Sequence, residues 1–215
     1  MNVKLVWVTP DAEEKVAYMA RVSNPGNQDN KETAPKLLRY LMKNKHWSPF
    51  EMVNVCMEIE CTRDIGRQII RHRSFSFQEF SQRYAEALYM TSSEVRLQDT
   101  KNRQNSLATE DRELQRWWDE MQLSLIAQAR GVYGAALNNG IAKEVARKVL
   151  PEGLTGSRMY MNGTLRSWMH YVDIRCDEAT QKEHRDIADK CKAILATHFP
   201  SLYGETNGKQ TVLPL

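Results

Sequence analysis

From Gly66 to Tyr84 the chain reads GRQIIRHRSFSFQEFSQRY, and most of its capacity for chemistry lies there. Arg71, His72 and Arg73 are consecutive, so on a helix their side chains would point about 100 degrees apart and could not share one solvated face. At a helix end that runs into a loop, all three can converge on one ligand. A guanidinium presents planar paired donors suited to phosphate or carbonyl oxygens, and Glu79 supplies a carboxylate to hold one of them in place. A ligand with several phosphates fits that chemistry. Taken alone, an RHR tripeptide more often marks a solvated basic face around a satisfied histidine.

The surrounding pattern supplies elements to carry this segment. Residues 3–8 read as a strand, and Asp11 ahead of AEEKVAYMARV reads as the cap of a helix with acids in its first turn. Residues 32–43 carry Leu37, Leu38, Leu41 and Met42 at helical spacing, with Pro35 tolerated in the first turn. Val53, Val55, Met57, Ile59 and Cys61 alternate with polar or small neighbours, the period of a half-buried strand. Thr62 can cap a helix over TRDIGRQIIRHR. A long amphipathic helix over residues 110–138 presents Trp117, Met121, Leu125 and Val132, and Asn138-Asn139-Gly140 stops it. Residues 144–150 form a short helix ended by Pro151, and residues 159–162 a short strand. Thr164 can cap the helix LRSWMHYVDIR, and a last helix runs over about residues 178–198. Strands scattered among helices without regular alternation indicate an α+β fold, a small sheet packed with several helices.

Composition narrows the function classes. The chain has 215 residues, 41% hydrophobic and 27% charged, enough to fold around a substantial core. Lys plus Arg is 30 against 27 for Asp plus Glu, and a net charge of +3 is too mild for a dedicated nucleic-acid partner. No apolar run reaches the roughly 20 residues of a membrane span, and the first residues lack the form of a secretory signal. A cytoplasmic protein with no membrane partner is expected. Cys56, Cys61, Cys176 and Cys191 form no CxxC pair, and the five histidines do not cluster, so no metal site is expected. One domain is expected over residues 1–202, with residues 91–112 a polar surface loop or lid and residues 203–215 a mobile tail.

The RHR triplet followed at fixed spacing by Ser81 and Arg83 resembles the signature of the flavin-dependent thymidylate synthases. The resemblance extends to His46-Trp47-Ser48-Pro49-Phe50-Glu51, to Arg67-Gln68, and to Glu144-Val145-Ala146-Arg147 with Leu150-Pro151. Leu165-Arg166-Ser167-Trp168 and Ile174-Arg175 complete it, over about residues 20–183. Thr164 stands where many relatives have asparagine, His170 replaces an asparagine of some of them, and Met52 stands where histidine is common. The resemblance implies an enzyme that makes dTMP from dUMP, with methylenetetrahydrofolate as one-carbon donor and NADPH as reductant through bound FAD. It implies a homotetramer with sites between subunits. It also implies FAD contacts from Ser48, Arg71, His72, Arg73, Glu79, Thr164, Leu165, Arg166 and His170. Gln68, Arg71, Glu79, Phe80, Ser81, Gln82, Arg83, Arg147 and Arg175 would surround dUMP, with Arg175 catalytic.

Elementary chemistry agrees with these roles. A nucleotide monophosphate carries nearly two negative charges, which Arg83 and Arg147 suit, and Ser81 adds a hydroxyl donor. Arg175, aimed at a uracil carbonyl, would stabilise negative charge developing on the ring; alone, it also reads as a cation favoured by a helix C-terminus. Thr164 can offer a helix-start N–H to the cofactor or serve as an ordinary cap. Cys176, beside Arg175, is the cysteine best placed as a thiolate nucleophile, but a packed thiol fits its helix-end setting better. Ser81 has no evident base except His72, and both suit binding. Two readings from other classes remain: a nucleic-acid module stacking bases on Phe75, Phe77 and Tyr84, and a flavoprotein with another redox task. Salt dependence would mark the first. A flavin spectrum indifferent to dUMP would mark the second.

Overall fold

The computed structural model describes residues 1–203, 205–206 and 209–210. Strands are β1 (Asn2–Val8), β2 (Asn54–Thr62), β3 (Ser76–Glu79), β4 (Arg96–Gln98), β5 (Ser106–Ala108), β6 (Gly156–Thr164), β7 (Glu205–Thr206) and β8 (Lys209–Gln210). Helices are α1 (Ala12–Ala20), α2 (Ala34–Lys43), α3 (Arg63–Ile69), α4 (Arg112–Asn138), α5 (Lys143–Ala146), α6 (Leu165–Arg175), α7 (Lys182–His198) and α8 (Pro200–Tyr203). The expected α+β class holds, with a four-stranded sheet in the order β1-β2-β6-β3. Arg63 N–H donates to Thr155 O at the end of β2, and Leu165 N–H to Val53 O at its beginning, so β2 and β6 run antiparallel.

The chain divides into two compact units, one made of residue 1, Glu60–Arg71 and Gln78–Met159, the other of Asn2–Ile59, His72–Phe77 and Tyr160–Leu215. In the second unit, α1 packs on α2, α6 on α7, and α7 on β1. Phe50, Trp168, Tyr171 and Phe199 are fully buried there. Trp168 Nε1 donates to Val55 O at 2.9 Å, which satisfies the one polar atom of an otherwise apolar ring and contributes about 1 kcal/mol. In the first unit Met90, Ile126, Ala129 and Leu154 form a cluster with Leu150 against it.

Several local expectations change. Asp11 sits in the left-handed region at φ 51°, and its carbonyl, not its carboxylate, serves the helix, accepting from Lys15 N–H at 2.9 Å. Thr62 makes no side-chain cap, whereas Thr164 accepts from Ser167 N–H at 3.2 Å, as expected. The strand expected at 159–162 extends over nine residues, and the last helix starts at Lys182. Within the expected loop at 91–112 lies a hairpin, β4 paired antiparallel with β5. Its turn is built on Asp99, which accepts from the N–H groups of Lys101 and Asn102 and from the Asn105 amide. Such polar three-residue strands leave no hydrophobic period to read. On α4, the buried face is Gln122, Ile126, Ala129 and Tyr133, and Trp117, Met121, Leu125 and Val132 are exposed. Gly140, at φ 78°, ends the helix as expected. Of the expected mobile tail, residues 204, 207–208 and 211–215 lie outside the described residues.

Candidate active site

The residues singled out above fall in both units. In the first, α3 ends at Ile69, and Arg71 follows in a turn whose N–H donates to Gln68 O. Arg71 is exposed, and its guanidinium has no hydrogen bond or ion pair among the described residues. Glu79 does not hold it. Glu79 Oε1 instead accepts from Ser157 Oγ at 2.7 Å and from Arg63 Nη1 at 3.3 Å, so the carboxylate is tied to residues the sequence pattern did not single out. Arg63 precedes the RHR triplet by eight residues, and its part is visible only after β3 and β6 are assembled.

Phe80 N–H donates to Arg158 O at 2.8 Å, and the carbonyl of Ser81 accepts from the N–H groups of Tyr84 and Ala85, which folds residues 81–85 into a turn. The turn points its three polar residues in different directions. Ser81 and Arg83 are exposed, and Arg83 Nε donates to Glu144 Oε2 at 3.1 Å. Gln82 is 4% exposed, and its side-chain nitrogen is buried without a hydrogen-bond partner among the described residues. Phe80 also borders a cleft of about 450 Å³ with Cys61, Thr62, Tyr89, Ser157 and Arg158. Arg147 begins the 3-10 turn after α5 and has no side-chain partner among the described residues. Arg67 pairs with Glu152 at 2.9 Å.

In the second unit, Glu51 organises the start of α6. Its Oε2 accepts from Thr164 Oγ1 at 2.6 Å and its Oε1 from Arg166 Nη1 at 2.9 Å. Leu165 is buried, with its N–H donated to Val53 O. Ser48, Arg73 and His170 are exposed, with no side-chain hydrogen bond among the described residues. Gly163 is bare for a steric reason: a Cβ there would lie 2.4 Å from Phe75, which is itself wedged against Trp168 at 4.9 Å between ring centroids. Phe75 is therefore core and not free for base stacking. Arg175, last residue of α6, donates from Nε to His72 Nε2 at 2.9 Å. Burial, then the charge of Arg175 and then that of His170, lower the His72 pKa to about 4, so the ring is neutral near pH 7.

The family model "Thymidylate synthase complementing protein" matches residues 4–201. A flavin-dependent thymidylate synthase of Synechocystis is 50% identical, over 88% of this chain and 87% of that protein. A probable flavin-dependent thymidylate synthase of Paramecium bursaria Chlorella virus 1 is 48% identical, over 94% of this chain and 97% of that one. The chain belongs to the flavin-dependent thymidylate synthases. Its fold matches a crystal structure of a UMP/dUMP methylase, PolB from Streptomyces cacaoi bound with 5-Br dUMP, with a TM-score of 0.78 and 26% identity, covering 93% of this chain and 91% of that one. A flavin-dependent thymidylate synthase needs a place for a flavin nucleotide, and the donor set suits one. In the second unit, Arg73 and His170 have no side-chain partner among the described residues, beside a framework in which Glu51 fixes Thr164 and Arg166. Among the described residues, no helix is long and apolar enough to cross a membrane.

Proposed function

We propose that the chain makes dTMP from dUMP, taking the one-carbon unit from methylenetetrahydrofolate and reducing equivalents from NADPH, with FAD bound and with no cysteine nucleophile. The observation that carries the substrate is Gln82, in the segment Ser81-Gln82-Arg83, whose buried amide nitrogen has no acceptor among the described residues. A buried donor left unmet costs about 1–3 kcal/mol, which a pyrimidine carbonyl would recover. Gln68, Arg71, Glu79, Phe80, Ser81, Gln82, Arg83 and Arg147 hold dUMP. Arg147, without a side-chain partner among the described residues, and Arg83, held by an exposed carboxylate, meet its phosphate.

Ser48, Arg71, His72, Arg73, Glu79, Thr164, Leu165, Arg166 and His170 hold FAD, the guanidiniums at its phosphates. When bound, FAD carries the reducing equivalents from NADPH. Arg175 acts on the uracil: its guanidinium stabilises negative charge as the ring becomes nucleophilic at C5. The cysteines support the absence of a thiolate. Burial raises Cys56, Cys61, Cys176 and Cys191, with Cys61 and Cys176 pushed up to about 12. We read residues 1–202 as one cytoplasmic catalytic domain, the segment 91–112 as its lid, and the exposed stripe Trp117, Met121, Leu125 and Val132 as surface covered in a homotetramer.

The test is the purified protein. It should carry or take up FAD, run as a tetramer, and change its flavin spectrum on titration with dUMP. A colourless monomer that ignores FAD refutes the proposal, and a flavin indifferent to dUMP transfers it to another redox substrate. Arg147→Ala should raise the dUMP concentration required by roughly tenfold or more while saturated turnover falls less, because phosphate contacts are made equally in ground and transition states.

A further inference from the structure

Several arginines of this chain are held by carboxylates, and Arg175 is held otherwise. Arg63, Arg67, Arg83 and Arg166 each bond a carboxylate, from Glu79, Glu152, Glu144 and Glu51 respectively. Arg175 does not. Its single side-chain hydrogen bond among the described residues runs to an imidazole nitrogen, His72 Nε2. A guanidinium only donates, so Nε2 must be the unprotonated acceptor, and the neutral ring then carries its proton on Nδ1.

The surroundings keep the ring neutral and in place. Tyr171, one turn before Arg175 on α6, meets His72 edge-on at 5.0 Å between ring centroids. Behind it lies His184 of α7, 0% exposed, 6.2 Å from the His72 centroid and bonded through Nε2 to the Tyr171 hydroxyl at 3.2 Å. Burial, with Arg175 and His72 facing it, lowers the His184 pKa to about 3. Three uncharged rings from three segments thus back one guanidinium. A carboxylate in the place of His72 would orient Arg175 equally well but would cancel its field. An imidazole fixes Nε and leaves the full charge, with both Nη groups free to donate.

We propose that His72, backed by Tyr171 and His184, is a positioning residue that aims Arg175 while leaving its charge unneutralised. This rests on the reading of Arg175 given above. The experiment measures flavin content and steady-state kinetics in dUMP for His72→Gln, His72→Leu, His72→Glu and Arg175→Ala. The Gln variant keeps a neutral acceptor for Arg175 and, compared per bound flavin, should lose the least saturated turnover of the three His72 variants. The Leu variant loses the acceptor and the Glu variant neutralises the charge; each should lose roughly ten- to hundredfold in saturated turnover with a smaller change in the dUMP concentration required.

A merely structural bond predicts Glu as the best substitute, and that ranking overturns the proposal. Losses that follow flavin content alone overturn it too, since they reduce His72 to a cofactor contact. If His72→Glu does not fold, the Gln and Leu pair decides, and equal turnover in those two refutes the idea. Near-normal saturated turnover in Arg175→Ala defeats the reading of Arg175 itself. Loss in Arg175→Ala with no difference among folded His72 variants defeats only the positioning role.

Discussion

Gly163→Ala tests whether the start of α6 is set by packing of Phe75 under β6. The new Cβ would stand 2.4, 2.7 and 3.2 Å from Cδ1, Cε1 and Cγ of Phe75. Carbon atoms prefer about 3.5–4.0 Å, so the ring must move by roughly 1 Å or more. It has little room: Phe75 is 9% exposed, with Trp168 at 4.9 Å and Tyr171 at 6.0 Å between centroids. Overpacking a closed site costs about 1–3 kcal/mol, and the lower entropy of the unfolded chain returns roughly 0.4–1 kcal/mol. We expect a net loss of about 1 kcal/mol, or roughly 2–4 °C in Tm for a chain of this length. Gly156→Ala is the matched control. There the Cβ would approach the Tyr89 ring even more closely, at 2.1 Å, but Tyr89 is 63% exposed and can swing outward. Thermal unfolding at fixed protein and flavin concentrations compares the two. If Gly163→Ala melts within about 1 °C of wild type, or no lower than Gly156→Ala, the packing argument fails.

Acid should weaken the fold through His184. Its pKa is lowered by burial from 6.5 to about 3, so its stabilising share is complete above pH 6.5 and is lost as pH falls toward 3, while the unfolded chain takes up a proton that the folded one refuses. Between pH 7.5 and 5.0 this amounts to about 2 kcal/mol, and His184→Gln should lose that much less in urea unfolding at the two pH values. Equal losses would show that His184 is not a buried neutral ring. Single replacements of Cys56, Cys61, Cys176 and Cys191 by alanine should leave dTMP formation largely intact in a direct product assay; a covalent adduct of dUMP to any of these thiols on the productive path would refute this.

How far the sequence reaches is visible on α4 and at Glu79. The 3.6-residue period correctly announces a long helix and its stop at Gly140, because propensity and capping are local. It does not say which apolar stripe faces its own chain. Trp117, Met121, Leu125 and Val132 mark the amphipathic period and are exposed, whereas the buried face admits Gln122 because Ser93 satisfies it: the Ser93 N–H and hydroxyl donate to its Oε1, at 2.9 and 3.0 Å. A polar residue is legible as buried only once its partner, 29 residues away, is known. Glu79 fails for the same reason: a carboxylate near three cations in sequence is in fact shared by Arg63 and Ser157.

Arg175 carries this furthest. Sequence shows a cation at the end of a helix, and the structure buries that helix through Trp168, Tyr171 and Val172. Sequence cannot show that the orienting partner lies 103 residues earlier, nor that the partner is neutral. That second fact bears directly on chemistry. A salt-bridged arginine and an imidazole-held arginine occupy similar space and are equally well ordered, but only the latter presents an undiminished field to charge that appears during reaction. In a low-dielectric setting that difference is amplified, because a compensating carboxylate a few ångströms away would oppose nearly the whole interaction. On the proposed reading of Arg175, the neutrality of His72, maintained by burial and by Arg175 itself, leaves that guanidinium undiminished for electrostatic stabilisation as well as well placed for it.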